Sequence, residues 1–482
     1  MTSPRSMARW MWKRFALAGL LVILMSAGAV AAAGILTFNH VADLLHVPKG
    51  QEIHDAQLAS YHGGPETFLI FGSDHRSFQG NTPGNSDTQM LIRFDPGKGE
   101  MTMLSIPRDL KVENIPGHGG PYKINAAYSF GGAKLGLRVI EQVLGPSVQI
   151  NHVIDTDFRG FRQAVDAIGG VYAQVDHRYF NDITGPGGYA AINIQPGYQK
   201  LDGSNALDYV RFRHTDTDLV REARQQDFVT QVRTQLGATK LINNEDRLLS
   251  IFAHATSSDI VNRDGAFYAN LFLLIAGSIG HPIRQVPFQV TLGPSYVTAT
   301  QAQIDATVNQ FLNGTAVRTS SSTSVVSAGR AAQAQHSSGL RNAAHEGQDQ
   351  AIVATSAGLP IYYPRLLTSD GFYDGQTRTY SIPDFSNHPH HAYVMVVEAG
   401  YIGLGQYYDI QGTTWTSPPI LAGPHDTQQI GGRTYQIYYE GQHIRTVALN
   451  AGYAVYWVEN TLLRKLSNSD MMGIATSLTR CC

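Results

Sequence analysis

The run TQMLIRFDPGKGEMTMLSIP (88–107) sets the architecture of the first half of the chain. Two β-rich segments flank the turn DPGKG, which is the pattern of a hairpin. Upstream, ETFLIFG (66–72) is a short apolar strand. Downstream, AKLGLRVIEQVL (133–144) has helical spacing, with Leu135, Val139 and Val143 four apart and Leu137, Ile140 and Leu144 on the neighbouring stripe. HVIDTD (152–157) reads as a strand, FRGFRQAVDAIGG (158–170) as a helix closed by glycine, and GVYAQV (170–175) as another strand. Strands and helices mixed in this order predict an α/β sandwich around one sheet.

With 482 residues, 43% hydrophobic and 15% charged, the chain is globular and has room for two or three domains. The sequence pI near 6.8 gives no global attraction to nucleic acid, so no nucleic-acid partner is expected and anion binding must come from local clustering. Residues 1–14 form a basic tail carrying Arg5, Arg9, Lys13 and Arg14, followed by the uncharged run FALAGLLVILMSAGAVAAAGILTF (15–38). That run exceeds the roughly 20 residues needed to cross a bilayer as a helix. Its basic flank is expected to stay cytoplasmic, placing everything after Phe38 outside the cell membrane. SAGAVAAAG offers small residues to a signal peptidase, but the run outlasts the roughly 7–15-residue core of a signal peptide, favouring an uncleaved single-pass anchor.

Residues 39–62 read as a polar connector and 63–312 as a first domain closed by the helix QAQIDATVNQFL (301–312). The Ser/Ala/Gln-rich stretch 313–350 reads as a linker, too poor in large apolar residues to fold. From Ala351, IYYPRLL, HAYVMVVEAG, YQIYYEG and YAVYWVEN read as strands and MMGIATSL as a helix, predicting a small aromatic-rich, β-rich α+β domain over 351–482. Its tyrosines suit a strand core, with a sugar-stacking surface as the alternative. His388, His390 and His391 of HPHHAY read as a turn beside a strand, with metal binding as the alternative. The two cysteines, Cys481 and Cys482, are adjacent. A bridge between neighbours is usually strained, so they read as free thiols.

YVRFRHTDTDLVREARQQD (209–227) places Arg211, Arg213, Arg221 and Arg224 within fourteen positions. YVRFRH reads as extended, so that Arg211 and Arg213 project from one face. After a polar turn with Asp216, Thr217 or Asp218 as N-cap, LVREARQQDFVTQVRTQL reads as a helix carrying Arg221 and Arg224 on one side. Such a strand-turn-helix aims four guanidiniums and a helix N-terminus at one volume, which suits a pyrophosphate. Solvated surface ion pairs are the alternative. Asp74 and Arg76 of FGSDHRS, Asp87 of NSDTQML, and Arg108 and Asp109 of SIPRD all stand at strand ends, where open α/β sheets tend to bind ligands. Asp74 and Asp87 suit turn capping or a shared divalent ion, since Mg²⁺ is typically held by one or two carboxylates plus phosphate oxygens.

Read together, FGSDHR, SDTQMLIRFDP, MTMLSIPRDL, KINAAYSFGG, DTDFRGFRQAVDAIGGV, GYQKLDGSNALDYVRFRH and REARQQ resemble, in order, the LytR-CpsA-Psr (LCP) family of cell-envelope phosphotransferases. The resemblance implies an LCP-type α/β/α sandwich around a central mixed sheet, behind one transmembrane helix and ahead of the smaller α+β domain. It implies an outward-facing, membrane-anchored enzyme dependent on Mg²⁺, with Mn²⁺ as the alternative ion. That enzyme would move a glycopolymer from a polyprenyl-pyrophosphate carrier to a peptidoglycan sugar hydroxyl, as in teichoic acid or arabinogalactan ligation. Carried over residue by residue, Asp74 and Asp87 would hold the metal. Arg76, Arg108, Arg211, Arg213, Arg221 and Arg224 would neutralise the pyrophosphate, with Gln225 and Lys123 in the same pocket. Asp87, Arg108, Arg211 and Arg213 would carry catalysis, and Asp87 or Asp109 would accept the acceptor's proton. An apolar tunnel in the sheet-helix core would take the prenyl chain. HTDTDLVRE departs from the family's usual acidic-glycine turn before the arginines. Two alternatives remain open: a polyprenyl-pyrophosphate hydrolase using the same site, and a non-catalytic lipid-binding envelope regulator. No helix-turn-helix or basic face points to DNA.

Overall fold

The hairpin expected from residues 88–107 lies in the middle of the principal sheet. The computed structural model describes residues 43, 46, 53, 58–59, 64–73, 84–183, 191–212, 218–235, 256–278, 283–293, 295–314, 339–400, 406–423 and 425–481. The expected membrane anchor, Asp74, Arg76 and Arg213 therefore lie outside the described residues. Among the described residues no helix is long and apolar enough to cross a membrane.

β1 (Glu66–Ser73), β2 (Ser86–Asp95) and β3 (Glu100–Ser105) form an antiparallel meander, with Asp95 opposite Glu100 at the hairpin end. A short hairpin, β4 (Lys111–Val112) and β5 (Tyr122–Lys123), leads into α1 (Asn125–Leu144). Next come β6 (His152–Asp157), α2 (Phe158–Ala167), β7 (Val171–Val175) and the pair β8 (Tyr179–Asn181) and β9 (Ile192–Ile194). β10 (Gly197–Leu201), α3 (Gly203–Arg211), α4 (Asp218–Gln235), β11 (Thr256–Ser258), α5 (Gly265–Ser278) and β12 (Ile283–Val286) follow. The pair β13 (Thr291–Leu292) and β14 (Val297–Thr298) precedes α6 (Gln301–Asn313).

The sheet order is β11-β6-β1-β2-β3-β12, with β6 parallel to β1, β12 parallel to β3 and the other pairings antiparallel. Both faces are covered, so β1 and β3 are buried along almost their whole length. On one face α1 and α6 pack over Leu69, Phe71, Leu91 and Leu104. On the other, Val229 of α4 packs on Met90, Ile92, Met101 and Met103, and Tyr268 and Leu274 of α5 pack on Phe68. This is the expected α/β/α arrangement around a mixed sheet. α1 breaks at Gly131–Gly132, where Gly132 takes φ 62° and ψ −160°, a conformation open in practice only to glycine. The break lets residues 125–130 run along the sheet's edge while Leu137, Val139, Ile140 and Leu144 sink into the core.

At the entry end of β1, His152 bridges two carboxylates: Nε2 lies 2.9 Å from Glu66 Oε2 and Nδ1 lies 2.8 Å from Asp259 Oδ2. All three residues are buried. Burial opposes a charge on the ring, but hydrogen bonds to Asp259 and Glu66 outweigh it and push the imidazole pKa up to about 9.

The expected linker proves shorter than 313–350: β15 (Leu340–Asn342) and α7 (Ala344–Val353) already belong to the second half. α7 seats itself with small residues, Gly347 and Ala351 being buried, so an absence of large apolar side chains did not prevent packing. β16 (Tyr362–Pro364), β17 (Leu366–Thr368), β18 (Phe372–Tyr373), β19 (Arg378–Pro383), β20 (Pro389–Glu398) and β21 (Tyr407–Thr413) follow. Then come β22 (Asp426–Ile430), β23 (Arg433–Glu440), β24 (His443–Asn450), β25 (Val455–Glu459), α8 (Asn468–Thr476) and β26 (Leu478–Arg480). An antiparallel sheet runs β18-β20-β21-β25-β24-β23-β22, with β19 also paired to β20. Tyr393, Tyr408, Tyr435 and Tyr456 are core residues of this sheet and offer no sugar-stacking surface. His388 and His390 both face Asp384, and the His390 ring stacks on Trp415, as the turn reading required. Contrary to the free-thiol reading, Cys481 is disulfide-bonded, and Cys482 is the only other cysteine in the chain. Cys481 is buried in the second core, and its N–H donates to the Ile361 carbonyl, which holds the oxidised end against the sheet.

The two halves meet over a buried interface. Tyr172 and Tyr198 pack with Trp415 and Trp457. Gln174 Nε2 donates to Asp409 Oδ2 at 2.6 Å, and the Tyr198 N–H donates to Gln411 Oε1 at 2.9 Å. Arg464 pairs with Glu440 and, at 3.3 Å, with Asp227 on α4.

Candidate active site

Register gathers several strand ends on one rim. β1 ends at Ser73, opposite Ser86 of β2 and beside Asp157 of β6, while β3 ends at Ser105, opposite Met90. Arg108, just past β3, reaches back to β2: its Nη1 donates to Asp87 Oδ1 at 2.5 Å. Its Nε lies 3.8 Å from Asp109 Oδ1, which also accepts from Lys123 Nζ at 3.0 Å. Asp87, Arg108, Asp109 and Lys123 thus form one chain of alternating charge. The Lys123 side chain is 41% exposed and that of Asp87 24%, so both ends of the chain are accessible to a charged ligand. The Asn125 N–H donates to the Arg108 carbonyl, which starts α1 at this rim. Tyr128 Oη, on the same helix, lies 2.9 and 2.8 Å from the two Asp155 carboxylate oxygens.

The arginine-rich segment folds differently from the extended reading of YVRFRH. Tyr209–Arg211 is the end of α3, a helix that Asp202 caps by accepting from the Asn205 N–H at 2.8 Å. Ala206, Leu207, Tyr209 and Val210 are its buried side. The cap signal lay upstream in LDGSN. Arg211 therefore stands in a last helical turn, where a cation suits the helix's negative end. Its guanidinium carbon lies 3.7 Å from the centroid of the Phe158 ring. Phe158 directly follows Asp157, so this stacking carries Arg211 to the β6 end of the rim. Burial raises the Asp208 carboxyl above its ordinary range, with Arg211 and Arg162 opposing the rise.

α4 buries Arg221, Arg224 and Gln225 in its first turns. Arg224 is fully enclosed: Nε donates to Tyr179 Oη at 3.0 Å, and Nη1 donates to the carbonyls of Tyr209 at 3.2 Å and Phe212 at 2.7 Å. Gln225 Nε2 donates to the Val210 carbonyl at 3.1 Å. The last carbonyls of a helix lack partners within it. Arg224 and Gln225 supply donors to that end of α3, which corrects their expected place in the wall of an anion pocket. Burial alone would raise the Asp176 carboxyl, yet His177 and Arg224 hold it below its ordinary value.

Sequence reasoning passed over three supports of the rim. Gln226 Nε2 donates to Ser105 Oγ at 2.8 Å, tying α4 to β3 just before Arg108. Phe158 seats Arg211, and Tyr128 engages Asp155. Gln226 is the last residue of REARQQ and Asp155 the fourth of HVIDTD, but neither carries a charge pattern that marks its partner. For a metal, Asp87 offers a hard oxygen donor, the ligand type Mg²⁺ prefers. Among the described residues no group of three His, Cys, Asp or Glu side chains is placed to hold an ion. An ion here would draw its other ligands from Asp74, phosphate oxygens and water.

The model of the LytR_cpsA_psr family matches residues 36–311, more than half of the chain. The chain belongs to the LytR-CpsA-Psr family. Among LCP relatives, the polyisoprenyl-teichoic acid–peptidoglycan teichoic acid transferase TagT of Bacillus subtilis is 30% identical over 233 residues, 47% of this chain and 70% of that protein. TagU of Bacillus cereus, of the same description, is 34% identical over 227 residues, 45% of this chain and 68% of that protein. Solved structures with similarity include B. subtilis TagV, 23% identical with a TM-score of 0.43, covering 52% of this chain and 97% of that one. Residues 339–481 lie beyond the LCP match.

Proposed function

We propose that this LCP protein transfers a glycopolymer, with the phosphate attached to it, from a polyprenyl-pyrophosphate carrier to a peptidoglycan sugar hydroxyl. The acceptor oxygen bonds to the sugar-linked phosphorus, the bond to the bridging oxygen breaks, and polyprenyl phosphate leaves. The acceptor's proton passes to Asp109 or Asp87. The naming of the TagT and TagU relatives as teichoic acid transferases supports this reading. The observation that carries it is the Asp87–Arg108–Asp109–Lys123 chain sharing a rim with Arg211. Phosphoryl transfer asks the protein mainly for positioning and charge stabilisation. Arg108, oriented by Asp87, and Lys123, oriented by Asp109, present donors to a headgroup of more than one negative charge. Arg211, stacked on Phe158, lies at the β6 end of the same rim, and Arg76 and Arg213 would add to it. Arg224, Gln225 and Gln226 hold α3, α4 and β3 so that this geometry persists. Mg²⁺, held by Asp87 with Asp74, would neutralise charge on the phosphate oxygens. In this proposal residues 15–38 anchor the enzyme, and catalysis faces away from the cytoplasm.

The test is transfer from a lipid-linked glycopolymer to peptidoglycan by the full chain. Arg108→Ala and Arg211→Ala should each lower turnover by about 10²–10³-fold while the protein stays folded. Transfer retained in both variants would overturn the proposal, and a phosphate monoester formed equally with and without acceptor would replace it with hydrolysis.

A further inference from the structure

An exposed aromatic group borders the charged rim. The His118 and Phe130 rings are stacked with centroids 4.3 Å apart and planes 14° from parallel. Tyr122 meets Phe130 edge-on at 5.2 Å. Tyr122 is 36% and Phe130 40% exposed, and His118 is exposed as well, so a stacked aromatic surface faces solvent here. The backbone ties the group to the rim from two sides. Tyr122 adjoins Lys123, the outer member of the charged chain, and Phe130 adjoins Ser129, whose hydroxyl lies 2.8 Å from Asn85 Oδ1, two residues before Asp87. Phe130 also sits just before the Gly131–Gly132 break of α1.

We propose that His118, Tyr122 and Phe130 form a stacking platform for a pyranose ring of the acceptor glycan. A pyranose has an apolar C–H face that packs on aromatic rings and a hydroxyl rim that needs charged or amide partners. The platform offers the first, and Lys123, Asp109 and Asn85 beside it offer the second. The acceptor, and not the donor, is the occupant because the platform adjoins Asp109. A sugar stacked there directs a hydroxyl toward a carboxylate that can take its proton, with Arg108 at that carboxylate's other side. This deepens the transferase reading and rests on it.

The experiment measures KM for soluble N-acetylglucosamine–N-acetylmuramic acid glycan strands and for a lipid-linked glycopolymer, using the full chain. It compares wild type with Phe130→Ala, Tyr122→Ala and Phe130→Tyr, each checked for an unshifted melting curve. Losing a stacking ring should raise the acceptor KM roughly tenfold with kcat and donor KM little changed. Phe130→Tyr should restore the wild-type value. Glycan-strand binding without donor, followed by NMR, should weaken in the same order. That arm reads the platform even if no transfer occurs, in which case the transferase reading fails by itself. Unchanged glycan affinity in both alanine variants would overturn the platform, as would an effect on donor KM alone.

Discussion

Raising the pH from 7 to about 9.5 should destabilise the protein through His152. The folded ring, bridged between Glu66 and Asp259, keeps its proton to about pH 9 against an ordinary value of 6.5. A raised pKa means the folded state binds the proton more tightly than the unfolded chain does. The stabilisation is therefore fully present below pH 6.5 and is lost as pH climbs through 9. The whole contribution is about 3 kcal/mol, from the gap between 6.5 and about 9. Most of it, about 2 kcal/mol, disappears between pH 7 and about 9.5. Asp374 titrates near 6 and Glu459 near 7, and burial raises Asp409 and Asp227 as well, so the His152→Gln variant is what separates the histidine from these carboxyls. Urea unfolding of the purified chain across the window, followed by intrinsic fluorescence, measures the loss. For a chain of this length, at about 2.1 cal/mol/K of unfolding entropy per residue, the melting temperature should fall by about 2–3 °C. His152→Gln should be less stable at pH 7 and nearly flat above it. A flat wild-type profile, or an equal slope in the variant, would refute the assignment of the charge to this bridge.

Arg224→Met keeps much of the volume but removes the donors that serve the Tyr209 and Phe212 carbonyls and the charge beside Asp176. We expect a loss of about 3–5 kcal/mol in denaturant stability, and transfer should fall with it. A variant of native stability with abolished transfer would instead put Arg224 in direct contact with substrate. Arg464→Met leaves Asp227 buried beside Glu440 without its cation, and burial already raises the Asp227 carboxyl above its ordinary range. The change should cost about 3–5 kcal/mol and make the interface between the halves the first region to lose hydrogen-exchange protection. Protection lost uniformly across both halves would contradict that order.

Part of the charged rim could be read before any coordinates. Arg108, Asp87 and Lys123 were expected to share a pocket, and the structure links them through Asp109 over distances that ion pairs require. Arg224 and Gln225 were misplaced because charge pattern cannot tell a donor facing a ligand from one facing a helix's last carbonyls. YVRFRH read as a strand because alternating apolar and basic residues fit period two, while the cap that makes it helical sits at Asp202. The linker reading failed over 340–350 for a similar reason. Composition counts large apolar residues, whereas α7 is seated by small ones.

By itself the sequence determined most elements of the first half and the residue types of the charged rim. Strand and helix periods, glycine breaks and hairpin turns are local properties, legible wherever a segment is buried on a definite face. Only the tertiary structure decided which charges meet. Strand register brings Ser73, Ser86, Ser105 and Asp157 to one edge, and a single-residue slip would turn every side chain on a strand to the opposite face. Tertiary packing likewise decided that Arg224 of α4 turns inward to the Tyr209 and Phe212 carbonyls while Arg211 of α3 lies over the Phe158 ring at the rim, because that choice depends on what stands opposite each guanidinium.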